Sequence, residues 1–150
     1  GYKAFSLSAL FQGAAHVDVI LNGEGTMSFQ QGLARGNLFS NITDRWTEEN
    51  PNPNAFYPRL MPGSLNDNYA SSTWWVKNAD YMRLKTLQLA YNMPSAWMKR
   101  IHFKSANVFL QGVNLLTFSS FKLWDVEIGN GRGAAYSSTR SFAAGIAVNL

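Results

Sequence analysis

Apolar residues alternate with small or polar ones in four separated stretches. In residues 2–12, Phe5, Leu7, Ala9 and Phe11 share one parity; Ala4, Ser6, Ser8 and Gln12 share the other, with Leu10 the exception. A period of two predicts a strand with one wet face. Residues 80–92 predict a second strand whose parity changes midway. Met82 and Leu84 fall on one side, and Leu87, Leu89 and Tyr91 on the other. A bulge near Thr86 reconciles them, because one extra residue flips the faces. Residues 105–116 predict a third strand. Residues 140–150 predict the most regular one, with Phe142, Ala144, Ile146, Val148 and Leu150 opposite Ser141, Ala143, Gly145, Ala147 and Asn149.

The lengths matter. A strand of about eleven residues spans roughly 36 Å, or about 25 Å when tilted near 45°, which is the height of the apolar band of a membrane barrel. Strands of soluble domains are nearer five or six residues. Between the strands lie segments 13–79, 93–104 and 117–139, so one short connection separates two long ones. Four of the five prolines fall between Pro51 and Pro62. Proline removes a ladder donor, so this stretch predicts loop. A short helix is expected over 35–46, and one helical turn after Pro94.

Composition sharpens the picture. Charged residues make up 15% and aromatics 14%, with twelve glycines. Few charges and many aromatics are unusual for a soluble domain and ordinary for a barrel that shows lipid one face. The chain is too apolar for intrinsic disorder, and no apolar run is long enough for a transmembrane helix. No basic, then apolar, leader follows Gly1. Cysteine is absent, which excludes disulfides, thiolate metal sites and thiol catalysis. The net charge of +4 comes from scattered Lys and Arg, so nucleic-acid binding is not expected.

Catalytic chemistry is not expected either. His16 and His102 have no partner at metal-ligand spacing, and no metal or cofactor is expected. Glu48-Glu49 and Asp125/Glu127 pair carboxylates, but glycosidic chemistry needs two facing each other across a cleft. Gly129-Asn130-Gly131-Arg132-Gly133 lacks the strand-then-helix frame of a phosphate loop, and flexibility accounts for its glycines. Lys99, Arg100, His102 and Lys104 cluster in the short connection. They read as a solvated turn, with attraction to anionic head groups as the sharper reading.

The ordered stretches Asp44-Arg45-Trp46-Thr47-Glu48-Glu49-Asn50-Pro51-Asn52, Tyr57-Pro58-Arg59-Leu60, Ala79 to Pro94, Val108 to Phe118, Trp124 to Glu127 and Ser141 to Leu150 resemble the C-terminal end of SusC/RagA-type TonB-dependent outer-membrane transporters. The chain departs from that family in ending on Leu150 and in carrying Val126 after Asp125. The resemblance implies an all-β fold: about four C-terminal antiparallel strands of a large transmembrane β-barrel of about 22 strands, with long extracellular loops at 13–79 and 117–139 and a periplasmic turn at 93–104. Residues 2–12 and 141–150 are then edges that pair elsewhere.

That resemblance implies a multi-pass location in the outer membrane and import of nutrients, oligosaccharides or peptides, with TonB-derived energy and no enzymatic activity. Its implied partners are a SusD-like surface lipoprotein, TonB through a part outside this chain, the plug and remaining strands, and the lipid bilayer. Phe5, Leu7, Phe11, Phe142, Ala144, Ile146 and Val148 are expected to face lipid. Tyr91, Trp97 and Phe103 are expected near one membrane interface, and Phe118, Phe121 and Trp124 near the other. Trp46 and Trp124, in the implied outer loops, are the candidate ligand or partner contacts. The alternative is a soluble all-β carbohydrate-binding module.

Overall fold

The computed structural model describes residues 1–23, 25–28, 39–60 and 67–150. The chain divides into two compact units. One comprises Gly1–His16, Asp80–Ser120 and Ser138–Leu150; the other comprises Val17–Ala79 and Phe121–Ser137. The elements in chain order are β1 (Phe5–Ala14), β2 (Asp18–Ile20), β3 (Val76–Asn78), β4 (Tyr81–Asn92), α1 (Ser95–Arg100), β5 (Ser105–Ser119) and β6 (Ser141–Asn149).

The first unit is a single antiparallel sheet in the order β1-β4-β5-β6. Its first strand begins at Phe5, not near residue 2. Tyr2 and Phe5 exchange backbone hydrogen bonds around Lys3, whose φ of +54° makes a tight turn. The third strand runs three residues past the expected end at 116, because Thr117, Phe118 and Ser119 keep pairing with β4. Pro94 opens α1 as its N-cap, and Met98 is the buried anchor of that turn.

Residues paired across an antiparallel ladder share a face, so the register assigns the sides. On one side lie Phe5, Leu7 and Ala9 of β1, then Tyr91, Leu89 and Leu87 of β4. The same side continues with Val108 and Leu110 of β5, then Phe142, Ala144, Ile146 and Val148 of β6. The opposite side carries Ser6 and Ser8, Gln88 and Thr86, Asn107 and Gln111, and Ala143, Ala147 and Asn149, together with Leu10, Phe109 and Val113.

The bulge sits at Lys85. Leu10 faces Thr86 but Phe11 faces Leu84, so Lys85 is the extra residue in β4. Opposite it, β5 is also irregular, and Asn114 adopts a φ of +54°. Asparagine tolerates that region, and Asn114 Nδ2 donates to the Thr139 carbonyl at 3.0 Å. Beyond the bulge, Phe11, Leu84 and Leu116, then Met82 and Phe118, continue the apolar side, while Gln12, Arg83 and Thr117 take the other. The apolar side is open: Leu7 is 67%, Phe142 77% and Ile146 65% exposed. Such a broad exposed apolar surface is foreign to a soluble monomer.

The second unit has its own core. Leu21 and Trp75 are 0% and Tyr57 1% exposed, joined by Met27, Ala55, Phe121 and Val126. The short ladder β2–β3 is prolonged by hydrogen bonds from Leu21 N to Trp75 O and from Ala79 N to Val17 O. A 3-10 turn at Thr73–Trp75 delivers Trp75 to the centre. Its indole donates to Asn68 O at 2.9 Å, stacks on Tyr69 and meets the edge of Tyr57. Phe121 therefore belongs to this core and not to an aromatic girdle. Of the helix expected over 35–46, residues 35–38 lie outside the described residues; Phe39 to Asp44 form turns instead.

Candidate functional site

The candidate ligand contacts lie in the second unit, where two clefts open. Trp46 is held by a short parallel bridge: Tyr57 N donates to Asp44 O and Trp46 N to Tyr57 O. The proline-rich stretch after it closes on itself. Asn50 N donates to Thr47 Oγ1 at 3.0 Å and Asn54 N to Asn52 Oδ1 at 2.9 Å. These side-chain acceptors replace the ladder that Pro51 and Pro53 forbid. Trp46 then lines a cleft of about 320 Å³ with Arg45, Thr47, Glu48, Glu49 and Arg59. Arg59 Nη1 pairs with Glu48 Oε1 at 2.7 Å; both are well exposed, so the pair contributes little stability.

Trp124 lines a different cleft, of about 490 Å³, with Asn41, Tyr57, Lys122, Thr26 and Gly133. Its indole packs edge-on against Phe121 at 5.0 Å between centroids. Gly133, at φ +66°, lies under the ring, and a Cβ there would come within 2.8 Å of Trp124 Cε3 and Cζ3. A Cβ at Gly131 would collide with the Ile20 carbonyl, while Asn22 N donates to Gly131 O. The glycine-rich run is thus a close-packing device, which corrects the expectation of mere flexibility. Trp46 and Trp124 share no cleft.

Sequence reasoning missed Tyr57, Asn41 and Lys122 as companions of Trp124. Tyr57 hydroxyl donates to Asn41 Oδ1 at 3.4 Å. Burial pushes the Tyr57 phenol above its ordinary 10.0, with its hydrogen bonds only partly offsetting that, and burial raises Tyr69 as well. Burial lowers Lys77, with the Asp44 charge opposing. An indole face beside amide, hydroxyl and ammonium groups suits a polar ligand with an apolar face.

The carboxylates have structural tasks. Glu48 holds Arg59, and Asp125 Oδ1 accepts from Glu127 N at 3.1 Å to cap the 3-10 turn Val126–Ile128. His16 and His102 are exposed turn residues at φ +59° and +61°. Among the described residues, no group of three or more His, Asp or Glu side chains is placed to hold a metal ion. No helix among them is long and apolar enough to cross a membrane, which does not bear on strands. Phe5, Leu7, Phe11, Phe142, Ala144, Ile146 and Val148 all fall on the one open apolar side of the sheet.

No family model matches the chain. It is 36% identical over 129 residues to the TonB-dependent receptor P26 of Formosa agariphila, a match covering 86% of this chain and 12% of that receptor. The RagAB peptide importer in its open-open state superposes with a TM-score of 0.71 at 27% identity, over 99% of this chain and 16% of that one. The closed-closed state gives 0.72 at 28% identity, over 97% of this chain and 16% of that one. The chain therefore spans a small fraction of the length of the proteins it resembles.

Proposed function

The chain belongs to the SusC/RagA-type TonB-dependent transporters, and on that premise we propose that it supplies the C-terminal arc of barrel wall and two outer loops of an outer-membrane nutrient importer. The observation that carries this reading is the two-sided sheet. One side is apolar from β1 to β6 and open; the other is mixed, with Ser8, Gln88, Gln111 and Ala143 beside Leu10, Phe109 and Val113, and its many small and polar positions suit a water-filled lumen. A soluble carbohydrate-binding module would bury that apolar side.

In this reading Phe5, Leu7, Phe11, Phe142, Ala144, Ile146 and Val148 meet acyl chains. Long strands cross the bilayer several times, the α1 turn lies in the periplasm, and the second unit stands outside. The free sides of β1 and β6 pair with the remaining barrel strands, since an unpaired edge cannot stay open in hydrocarbon. Ligands pass through the lumen, so no covalent chemistry is needed from this chain. TonB drives the plug, which lies elsewhere in the protein, and a SusD-like surface lipoprotein caps the outer loops.

Trp46 and Trp124 are the proposed contacts for ligand or lid. Oligosaccharides and peptides both suit their clefts, because each ligand offers flat apolar faces rimmed by hydrogen-bonding groups. The test is growth and labelled-nutrient uptake by cells whose full-length transporter carries Trp124→Ala or Trp46→Ala, with surface abundance measured alongside. Undiminished uptake of every oligosaccharide and peptide that the parent imports would remove both residues from the site.

A further inference from the structure

The β4–β5 hairpin end carries a cationic, aromatic rim that no uptake role requires. We infer that this rim docks on the phosphates of anionic phospholipids in the leaflet facing the periplasm. The inference rests on the barrel reading proposed above for its topology.

Four observations converge. First, no acidic residue occurs from Tyr81 to Trp124, whereas Lys99, Arg100 and Lys104, with His102, crowd the turn. All four side chains are exposed. Second, the far end of β1 adds a charge to the same rim. Asn92 N donates to Ala4 O, so exposed Lys3 stands beside the start of the turn. Third, Trp97 and Ile101 lie one helical turn apart and stay 59% and 53% exposed, although buried Met98 pins the turn through bonds from Ile101 N and Phe103 N to its carbonyl. Fourth, the apolar side of the sheet runs up to the start of the rim. Phe5 and Tyr91, the last cross-strand pair before it, are in ring contact at 4.9 Å.

An indole and an aliphatic side chain beside lysines and an arginine, set at the end of an apolar wall, match the order of a bilayer: acyl chain, glycerol, phosphate. Trp favours the middle layer and Lys and Arg the outer one. A soluble partner would not explain why an apolar wall ends in an aromatic pair beside the cationic turn.

The test uses the full-length transporter in bilayers of mixed phosphatidylglycerol and phosphatidylcholine, with brominated acyl chains on one lipid at a time. Trp97 emission is read as the difference between parent and Trp97→Phe. Brominated phosphatidylglycerol should quench that emission more than brominated phosphatidylcholine at equal mole fraction. The preference should fall about fivefold for each neutralised charge in the series Lys99→Gln, Arg100→Gln and Lys104→Gln, and it should shrink in high salt. Equal quenching by both lipids, or a preference that survives the triple variant, would overturn the inference while leaving the barrel intact. A protein that enters neither bilayer would instead overturn the barrel reading, which lipid-independent emission from all its tryptophans would reveal.

Discussion

The Phe109 ring lies over Gly145, its direct cross-strand partner on the polar side of the sheet. A Cβ at Gly145 would come within 2.5 Å of Phe109 Cζ and 2.8 Å of Cε1. The aromatic ring covers a backbone that glycine leaves bare, a pairing that compensates for glycine's poor fit in a strand. Gly145→Val is therefore expected to destabilise the folded barrel by about 1–3 kcal/mol through overpacking. Phe109→Leu should recover part of that loss in the double variant. Denaturant titration of all four proteins measures the coupling, and strict additivity would contradict the contact.

Neighbouring residues of β6 should respond unequally to charge. Ile146 belongs to the apolar side and Ala147 to the polar side. Ile146→Arg is expected to cost about 2–4 kcal/mol if it lies near the bilayer midplane, and Ala147→Arg clearly less. Comparing folded fractions after insertion into bilayers checks this, and equal costs would reverse or abolish the assignment of sides.

Alkaline pH should loosen the second unit. The folded Tyr57 and Tyr69 phenols titrate above the ordinary 10.0, so their stabilising contribution is complete below about pH 10 and is lost as pH rises through their folded values. In that window the unfolded chain binds fewer protons, so stability falls with pH. Lys77, lowered by burial, acts in the opposite sense: between its folded value and about 10.5 the unfolded state holds more protons and stability rises. Tyr57→Phe should flatten the alkaline loss and Lys77→Met should steepen it. Thermal unfolding followed by tryptophan emission across that pH range reads both slopes.

Removing the central indole should be far costlier than removing a half-buried one. Trp75 is fully buried and hydrogen-bonded, so Trp75→Ala is expected to cost about 3–5 kcal/mol. Trp124→Ala should instead weaken ligand or lid binding by roughly two- to tenfold, the worth of one aromatic contact. Protease sensitivity of the second unit distinguishes the two: the first variant should be cut readily and the second should resist like the parent.

The sheet was legible because its residues obey a period of two over long runs, and the parity change between Leu84 and Leu87 carried the bulge with it. Strand ends were less legible. The turn at Lys3 depends on a positive φ that nothing in the alternation announces, and β5 outlasts its clean pattern because β4 still pairs with it. The second unit was largely hidden. Its core joins Leu21, Tyr57, Trp75 and Phe121 from segments without periodicity, held by side-chain-to-backbone hydrogen bonds. Gly131 and Gly133 looked like slack for the same reason: close approach to Ile20 and Trp124 is a tertiary fact. Trp46 and Trp124 were recognisable as loop aromatics, but their separation into two clefts was not.

The extra residue at Lys85 works like a phase shift in a two-beat rhythm. Deleting it would remove the bulge and leave both halves of β4 in step, because Leu84 would then adjoin Thr86 directly, on the opposite side. Met82 and Leu84 would keep the apolar side and Arg83 the polar one, whereas flattening the bulge with Lys85 still in place would turn over all three at once.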